Sequence, residues 1–493
     1  MERSGTGTED EQVHAETLPV EVRESSTADI QDDPVRAYLL LLGDLLIIGV
    51  AGILLYWGVW LHFMQIHSIE TTRYRCYAVA FWHGTAHLET FIRGCGFLLH
   101  NSGPIPVGPG TPAILTWLIA QQSPLQPFHA LPMEYPLLTL IPFTLIMLAP
   151  AQWYLIAFGI LMTFVAGCIY FMLKRSRSTG SAIAFAAYLV IGCWASALAR
   201  FDLLPAALTL GGALLMQRGR WNWAFGLLAL AFLLKFYPLV LIPVFFIAQQ
   251  KQFAASKWYA WQRWSGLALF AIICVVVMSV SLLLSVEGTV SSLAYFEDRP
   301  IQVETLGAVF LWFGSHVGYP LKYVFTFGSG NVLSALSTPV SLLLSASFGL
   351  GLLYLYWRQW RGKMDIFTAC LIALLIAIIT GKVFSPQYLI WVTAFVAYVG
   401  RTNWKWLLSW GIVGVLTTLI YPFLYSYPFA NSYPAFYTTD ANNPGIVSVG
   451  QIVVFYPFVL LRALIIIGMI GVLLYQSYPR RSVAQGSISH EIA

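Results

Sequence analysis

Long apolar blocks, broken by short polar punctuation, fill most of the chain from residue 37 to about residue 475. A helix that crosses a bilayer needs about 20 mostly apolar residues, and many of these blocks approach or reach that length. The first runs over 37–60 and carries one carboxylate, Asp44. Further blocks follow at 137–148, 154–172, 182–198, 203–216, 224–234, 239–248, 267–284, 308–312, 332–355, 366–379, 388–399, 407–424 and 452–474. Several are too short to cross alone, and broken helices at membrane depth usually line a cavity. The pattern predicts an all-α polytopic membrane protein with about ten to thirteen membrane helices.

Between residues 62 and 135 the pattern breaks. No apolar run there is long enough to span, and polar side chains such as Glu70, Arg73, His83, Glu89 and Arg93 crowd the segment. It reads as a large external loop with short interfacial helices, one of them over 113–120. Residues 1–36 are polar and acidic and lack the basic start and apolar core of a signal peptide, so they read as a disordered cytoplasmic tail. Residues 477–493 read as a second tail, leaving 37–476 as the membrane domain. The stretch 135–177 does not hold an obvious parity of crossings; a half-helix near Pro142 or Pro150 would repair it.

Composition agrees with this reading. Of 493 residues, 58% are hydrophobic and 10% charged, against about 25% charged in soluble domains. Basic residues gather at block ends, at Lys174/Arg175/Arg177, Arg218/Arg220, Lys251/Lys257/Arg263, Arg358/Arg361/Lys363, Arg401/Lys405 and Arg480/Arg481. Cytoplasmic loops carry such excess, so both termini are expected inside, and the net charge of +5 is topology rather than nucleic-acid affinity. The six cysteines suggest neither a disulfide framework nor a zinc site, because four sit in apolar runs and only Cys76 and Cys95 lie in a polar stretch.

Scarce polar residues point to where chemistry can occur. Ten of the 22 acidic residues lie in the N-terminal tail. Four clusters stand at the edges of apolar runs. One is Glu70-Thr-Thr-Arg-Tyr74 with Tyr77 and, further on, Gly84; another is Glu134-Tyr135-Pro136. The third joins Ala199-Arg200-Phe201-Asp202-Leu-Leu-Pro205 to Lys235-Phe-Tyr237-Pro238, and the fourth pairs Arg299, Gln302 and Glu304 with Gly381-Lys382-x-x-Ser385-Pro386-Gln387-Tyr388. Plainer readings exist for each: interfacial tyrosines, an Arg200–Asp202 structural pair, a snorkelling Lys235.

The phrases Arg-Phe-Asp-Leu-Leu-Pro-Ala, Leu-Lys-Phe-Tyr-Pro and Gly-Lys-x-x-Ser-Pro-Gln-Tyr-Leu-x-Trp resemble the polyprenol-phosphate-sugar glycosyltransferases of family 87, in the GT-C class. Glu-Tyr-Pro-Leu looks like that family's Tyr-Pro-Pro-Leu. The resemblance covers residues 37–475 and implies a GT-C fold with a large first external loop. It implies a general base in that loop, where the family usually shows Asp; counting back from Gly84 puts Glu70 there, one methylene longer, with Glu89 in reserve. Arg299, Lys235, Lys382 and Arg200 are then the cations for the donor phosphate, since Arg grips phosphate oxygens in a fork and Lys acts as a point charge. Tyr74, Tyr77, Glu134, Tyr135, Asp202, Gln302, Glu304, Gln387 and Tyr388 are expected around the donor and acceptor pocket.

On this resemblance the protein moves a sugar, with mannose the first candidate, from a polyprenyl-phosphate donor to a lipid or glycan hydroxyl with inversion, at the external face of a bacterial plasma membrane. Membrane lipid is an expected partner and nucleic acid is not. No cofactor is called for: a divalent metal has no supporting ligand set, and a donor without a nucleotide needs no glycine loop. The competing reading is a transporter or flippase for a lipid-linked sugar, which predicts polar residues spread through several spans. A non-catalytic membrane scaffold is a third.

Overall fold

A computed structural model describes residues 34–66, 70–86, 88, 95, 98, 112–295, 299–424 and 454–476. Residues 1–33 and 477–493, which hold most of both expected tails, lie outside that set, as does Glu89. The chain divides into two compact units, 1–46 and 47–493. Helix begins at Pro34, within the stretch read as tail, and Asp44 in the first unit is buried.

The second unit is a mostly helical bundle. The chain is a polytopic membrane protein by composition and length: six helices are long and apolar enough to cross a bilayer, Tyr38–His62, Ala151–Ser176, Trp261–Leu284, Ser337–Trp360, Trp404–Leu424 and Phe455–Gln476. Their exposed faces are apolar. In Trp261–Leu284, Ile272, Val275, Val276 and Leu283 all face outward.

Shorter apolar helices form the inside. Ile366–Thr380 and Tyr388–Gly400 are apolar all round and almost wholly buried, which is the pattern of an interior helix. Leu203–Gln217 packs against both of these and against Trp221–Leu234. A 13-residue helix such as Tyr388–Gly400 is about 20 Å long, well short of the roughly 30 Å hydrocarbon core. The irregular segments at the ends of these helices therefore fall inside the bundle, where backbone can stay non-helical only against protein or a cavity.

One set of ends gathers at a cleft: the turns at 193–202, at Lys235–Phe236 and at 381–387. The opposite ends of the same helices carry Arg218/Arg220, Arg358/Arg361/Lys363 and Arg401/Lys405. The stretch 137–148 forms a short helix broken into three pieces, Leu137–Thr139, Leu140–Leu145 and Ile146–Leu148, ending before Pro150. The helix Ala113–Gln121 buries none of its residues.

Two features depart from the sequence reading. A small antiparallel sheet, order β1-β3-β2, stands in the otherwise helical chain. It consists of β1 (Ile301–Gln302), β2 (Lys322–Thr326) and β3 (Ser329–Leu333), with Gln302 opposite Asn331 and Thr326 opposite Ser329. Phe327 and Gly328 make the two-residue turn, both with positive φ (55° and 67°), as a tight hairpin of this hand requires. Behind the sheet lies a second apolar cluster containing Ile301, Val303, Leu311, Tyr323, Val332, Tyr456 and Val459.

The second departure is covalent. Cys76 and Cys95 are joined by a disulfide, whereas their small number and lack of motif argued against pairing. The two cysteines are buried, and the bond ties the helix Glu70–His83 to the loop that follows it. Non-reducing peptide mapping should find Cys76 and Cys95 in one linked peptide. Closing a loop of 19 residues contributes about 3 kcal/mol in the chain-entropy account, so Cys76→Ser with Cys95→Ser should lower the thermal midpoint. Recovery of both cysteines as free thiols from oxidised membranes would contradict the pairing.

Candidate functional site

The cleft at the gathered helix ends is open to one side. It draws on segments far apart in the chain. Glu70 and Arg73 come from the first turn of the helix Glu70–His83, Glu134 and Tyr135 from the loop before the broken helix, and Arg200 from the turn after Thr179–Gly192. Lys235 terminates Trp221–Leu234, and Ser385, Gln387 and Tyr388 lead into Tyr388–Gly400. Tyr295, Arg299 and the hairpin tip Phe327–Ser329 complete the wall.

Charge is distributed as one network. Arg200 Nη2 donates to Glu70 Oε1 at 3.2 Å. Arg73 Nη1 stands 3.6 Å from Glu70 Oε2, while its other nitrogen bonds Glu134. Lys235 Nζ donates to Asp202 Oδ1 at 2.6 Å, and Asp202 is fully buried below the cleft. Arg299 Nη2 donates to Ser329 Oγ at 2.7 Å and its guanidinium lies over the Tyr295 ring. The Tyr295 hydroxyl in turn holds the hairpin tip through the Phe327 carbonyl at 2.7 Å. Glycine suits position 328, where φ is positive and a Cβ would lie 2.9 Å from the Arg73 guanidinium, which would have to shift.

Among the described lining residues, four cations face two carboxylates. Counting Asp202 beneath Lys235 leaves one net positive charge. Burial raises the Glu70 carboxyl, but Arg200, Arg73, Lys235 and Arg299 outweigh it and hold it below the usual carboxylate value. For Glu134, burial outweighs Arg73, and Glu70 adds to the rise, so its carboxyl sits above that value. The cleft thus suits an anionic ligand, and its Glu70 carboxylate is ionised at neutral pH.

The sequence-derived candidates separate into those that line the cleft and those that support it. Glu70, Glu134, Tyr135, Arg200, Lys235, Arg299, Gln387 and Tyr388 line it. Arg200 and Asp202 are not partners of each other: each pairs with a residue of another segment. Tyr74 and Tyr77 lie behind the wall. Tyr74 stacks on Phe143 at 4.3 Å and meets Tyr135 and Phe201 edge-on, and Tyr77 packs edge-on to Tyr135.

Gln302 clamps the loop before Tyr388 without touching the cleft. Its backbone N–H donates to the Lys382 carbonyl, its Oε1 accepts from the Phe384 N–H at 2.8 Å, and its Nε2 donates to Ser385 Oγ at 3.1 Å. Lys382 is half-buried and does not line the cleft. Glu304 is buried further back, where Arg462 Nη2 donates to its backbone carbonyl at 2.6 Å and Arg462 Nη1 stands 4.0 Å from its carboxylate.

Arg73, Phe236, Tyr295, Phe327, Gly328, Ser329 and Ser385 also line the cleft and were given no role from the sequence. Arg73 had a signal, since it sits one helical turn from Glu70. The hairpin residues had little, because two five-residue strands amid apolar blocks leave no clear alternation. Among the described residues, no three His, Cys, Asp or Glu side chains gather in a way that could hold a metal ion. No protein-family model matches this chain, and no curated protein does.

Burial pushes the Glu304 carboxyl up to about 7 against the pull of Arg462, Arg200 and Arg299. A carboxyl raised in the fold favours the protonated native state, so stability should fall as pH rises from its ordinary value of 4.5 and level off above 7. The difference corresponds to roughly 3 kcal/mol. Thermal midpoints followed from pH 4.5 to 8 should decline in the parent more steeply than in Glu304→Gln. Parallel curves would show that Glu304 is not raised.

Proposed function

We propose that this chain is a membrane glycosyltransferase of the GT-C type, which moves a sugar, mannose the first candidate, from a polyprenyl phosphate to a hydroxyl of a lipid or glycan acceptor. The observation that carries the reading is the meeting of Glu70 with Arg73, Arg200, Lys235 and Arg299 in one cleft at one end of an apolar bundle. Arg200 and Lys235 come from phrases that resemble family 87, and Glu70 stands where that resemblance puts the base.

The chemistry follows from the charges. The acceptor oxygen bonds to the anomeric carbon as the bond from that carbon to the donor phosphate oxygen breaks. Glu70, ionised at neutral pH, takes the acceptor's proton. One displacement inverts the anomeric centre. The phosphate group goes from one negative charge, as a diester, to as many as two as the released monoester. The net positive cleft is matched to that gain, and cations aimed at developing charge lower the barrier because they need no reorganisation. The apolar exterior of the bundle suits a donor whose polyprenyl chain stays in the bilayer.

Orientation enters the same proposal. The cleft and the basic clusters stand at opposite ends of the same helices, and the basic ends belong inside by the positive-inside rule. The Cys76–Cys95 bond on the helix of Glu70 belongs to an oxidising compartment. Both argue for an external cleft in a cell membrane with cytoplasmic termini. The transporter reading fares less well, because the polar residues that line the cleft stand at helix ends rather than along the spans.

Purified protein incubated with labelled polyprenyl-phospho-mannose and a panel of acceptors should release polyprenyl phosphate and label an acceptor. Arg299→Ala should lower turnover about 100- to 1,000-fold, the usual cost of removing one such contact. Glu70→Gln should lower it about 100- to 10,000-fold, and Glu70→Asp should keep most of it. Parent-like turnover in Glu70→Gln would remove the base, and with it the mechanism.

A further inference from the structure

Beneath the cleft lies an arrangement that the proposed mechanism does not use. Trp391, one turn into the helix Tyr388–Gly400, sits between two tyrosine rings, 4.2 Å from Tyr237 and 3.9 Å from Tyr388. Its indole N–H donates to Asp202 Oδ1, the same oxygen that accepts from Lys235 Nζ. Asp202 Oδ2 is buried and accepts no hydrogen bond among the described residues. The Lys235 ammonium also lies 5.3 Å from the centre of the Trp391 ring and 5.1 Å from that of Phe201. Trp391 and Asp202 do not line the cleft; Lys235 and Tyr388 do.

We propose that Trp391 is a positioning residue: by occupying Asp202 Oδ1 together with Lys235, it limits how strongly the carboxylate draws the ammonium, and so leaves Lys235 presented to the anion in the cleft. The physical ground is competition for one acceptor. A buried carboxylate given a single donor would draw the ammonium to itself, and an ammonium fully paired in a dry site has little left for a phosphate. A second donor on the same oxygen drains charge from it, and stacking on Tyr237 and Tyr388 holds that donor in place. The ring faces supply the remaining stabilisation of the cation without a competing negative charge. The proposal rests on the glycosyltransferase reading for the identity of the anion, but not for the geometry at Lys235.

Trp391→Phe tests it, because Phe keeps the stack and removes only the N–H. Lys235 is labelled with an amine-reactive N-hydroxysuccinimide ester, and its modification rate is read by peptide mass spectrometry in the full-length protein. With the competing donor gone, Lys235 should react about tenfold more slowly, the size of one hydrogen bond to a charged group. Asp202→Asn, which removes the carboxylate from the other side, should make Lys235 react faster than in the parent.

Sugar transfer from labelled polyprenyl-phospho-mannose supplies the second readout. Trp391→Phe should lower turnover about tenfold in the parent background and leave it within twofold in a Lys235→Ala background. A purely packing role would give the same loss in both. Unchanged Lys235 reactivity in Trp391→Phe, or equal losses of turnover with and without Lys235, overturns the inference. Absence of transfer by the parent with every donor and acceptor overturns the glycosyltransferase reading instead, and the labelling rates still decide the positioning role.

Discussion

Charge buried at the head of an apolar bundle must be compensated locally, and the architecture around the cleft follows from that requirement. An ionised side chain in a dry site is tolerated only when paired and hydrogen-bonded. Glu70 is held by Arg200 and Arg73, Glu134 by Arg73, and Asp202 by Lys235 and Trp391. Removing one member leaves another uncompensated, which typically costs 3–5 kcal/mol for a buried pair. The Glu70–Arg200 and Asp202–Trp391 contacts join segments more than a hundred residues apart, so the network also fixes how the helix ends meet.

The network is not neutral, and that imbalance connects fold to function. The inner helices are too short to cross a bilayer, and the cleft opens at their ends. Into that space the sheet delivers Arg299 and Ser329, and Gln302 fastens the loop carrying Ser385, Gln387 and Tyr388. Arg299 shares no ion pair with the two cleft carboxylates among the described residues, and it rests on a hydroxyl and a ring face instead. It is therefore the cation best able to take an incoming anion without breaking an existing pair.

Much of this was legible in the sequence because polar residues are rare in such a chain. Glu70, Arg200, Lys235 and Arg299 were selected by their position at the edges of apolar runs, and that criterion works when each burial of charge needs a reason. The same criterion overreached at Gln302 and Glu304, which sit behind the cleft. A linear sequence distinguishes the edge of an apolar block from its interior but not the wall of a cavity from its backing. Tyr74 and Tyr77 show the same limit: their spacing sets them on one helical side, and which way that side turns depends on Phe143 and Tyr135, over fifty residues later. The hairpin was missed because its register depends on β1 and on the turn at Phe327–Gly328, with no long alternating pattern to reveal it. The disulfide was missed because two cysteines 19 residues apart carry no information until the helix and loop bring them together.

The central claim is that the surplus of positive charge in the cleft exists to hold a lipid-borne phosphate. Direct binding tests it without depending on turnover or on the acceptor. The affinity of polyprenyl phosphate for the detergent-solubilised protein, measured by native mass spectrometry, should exceed that of the uncharged polyprenol. Arg299→Gln should weaken phosphate binding by about tenfold or more, the value of one charge-assisted contact, and Glu134→Gln should strengthen it by removing a repelling carboxylate. Equal affinity for the alcohol and the phosphate, or binding that ignores both substitutions, would contradict the account.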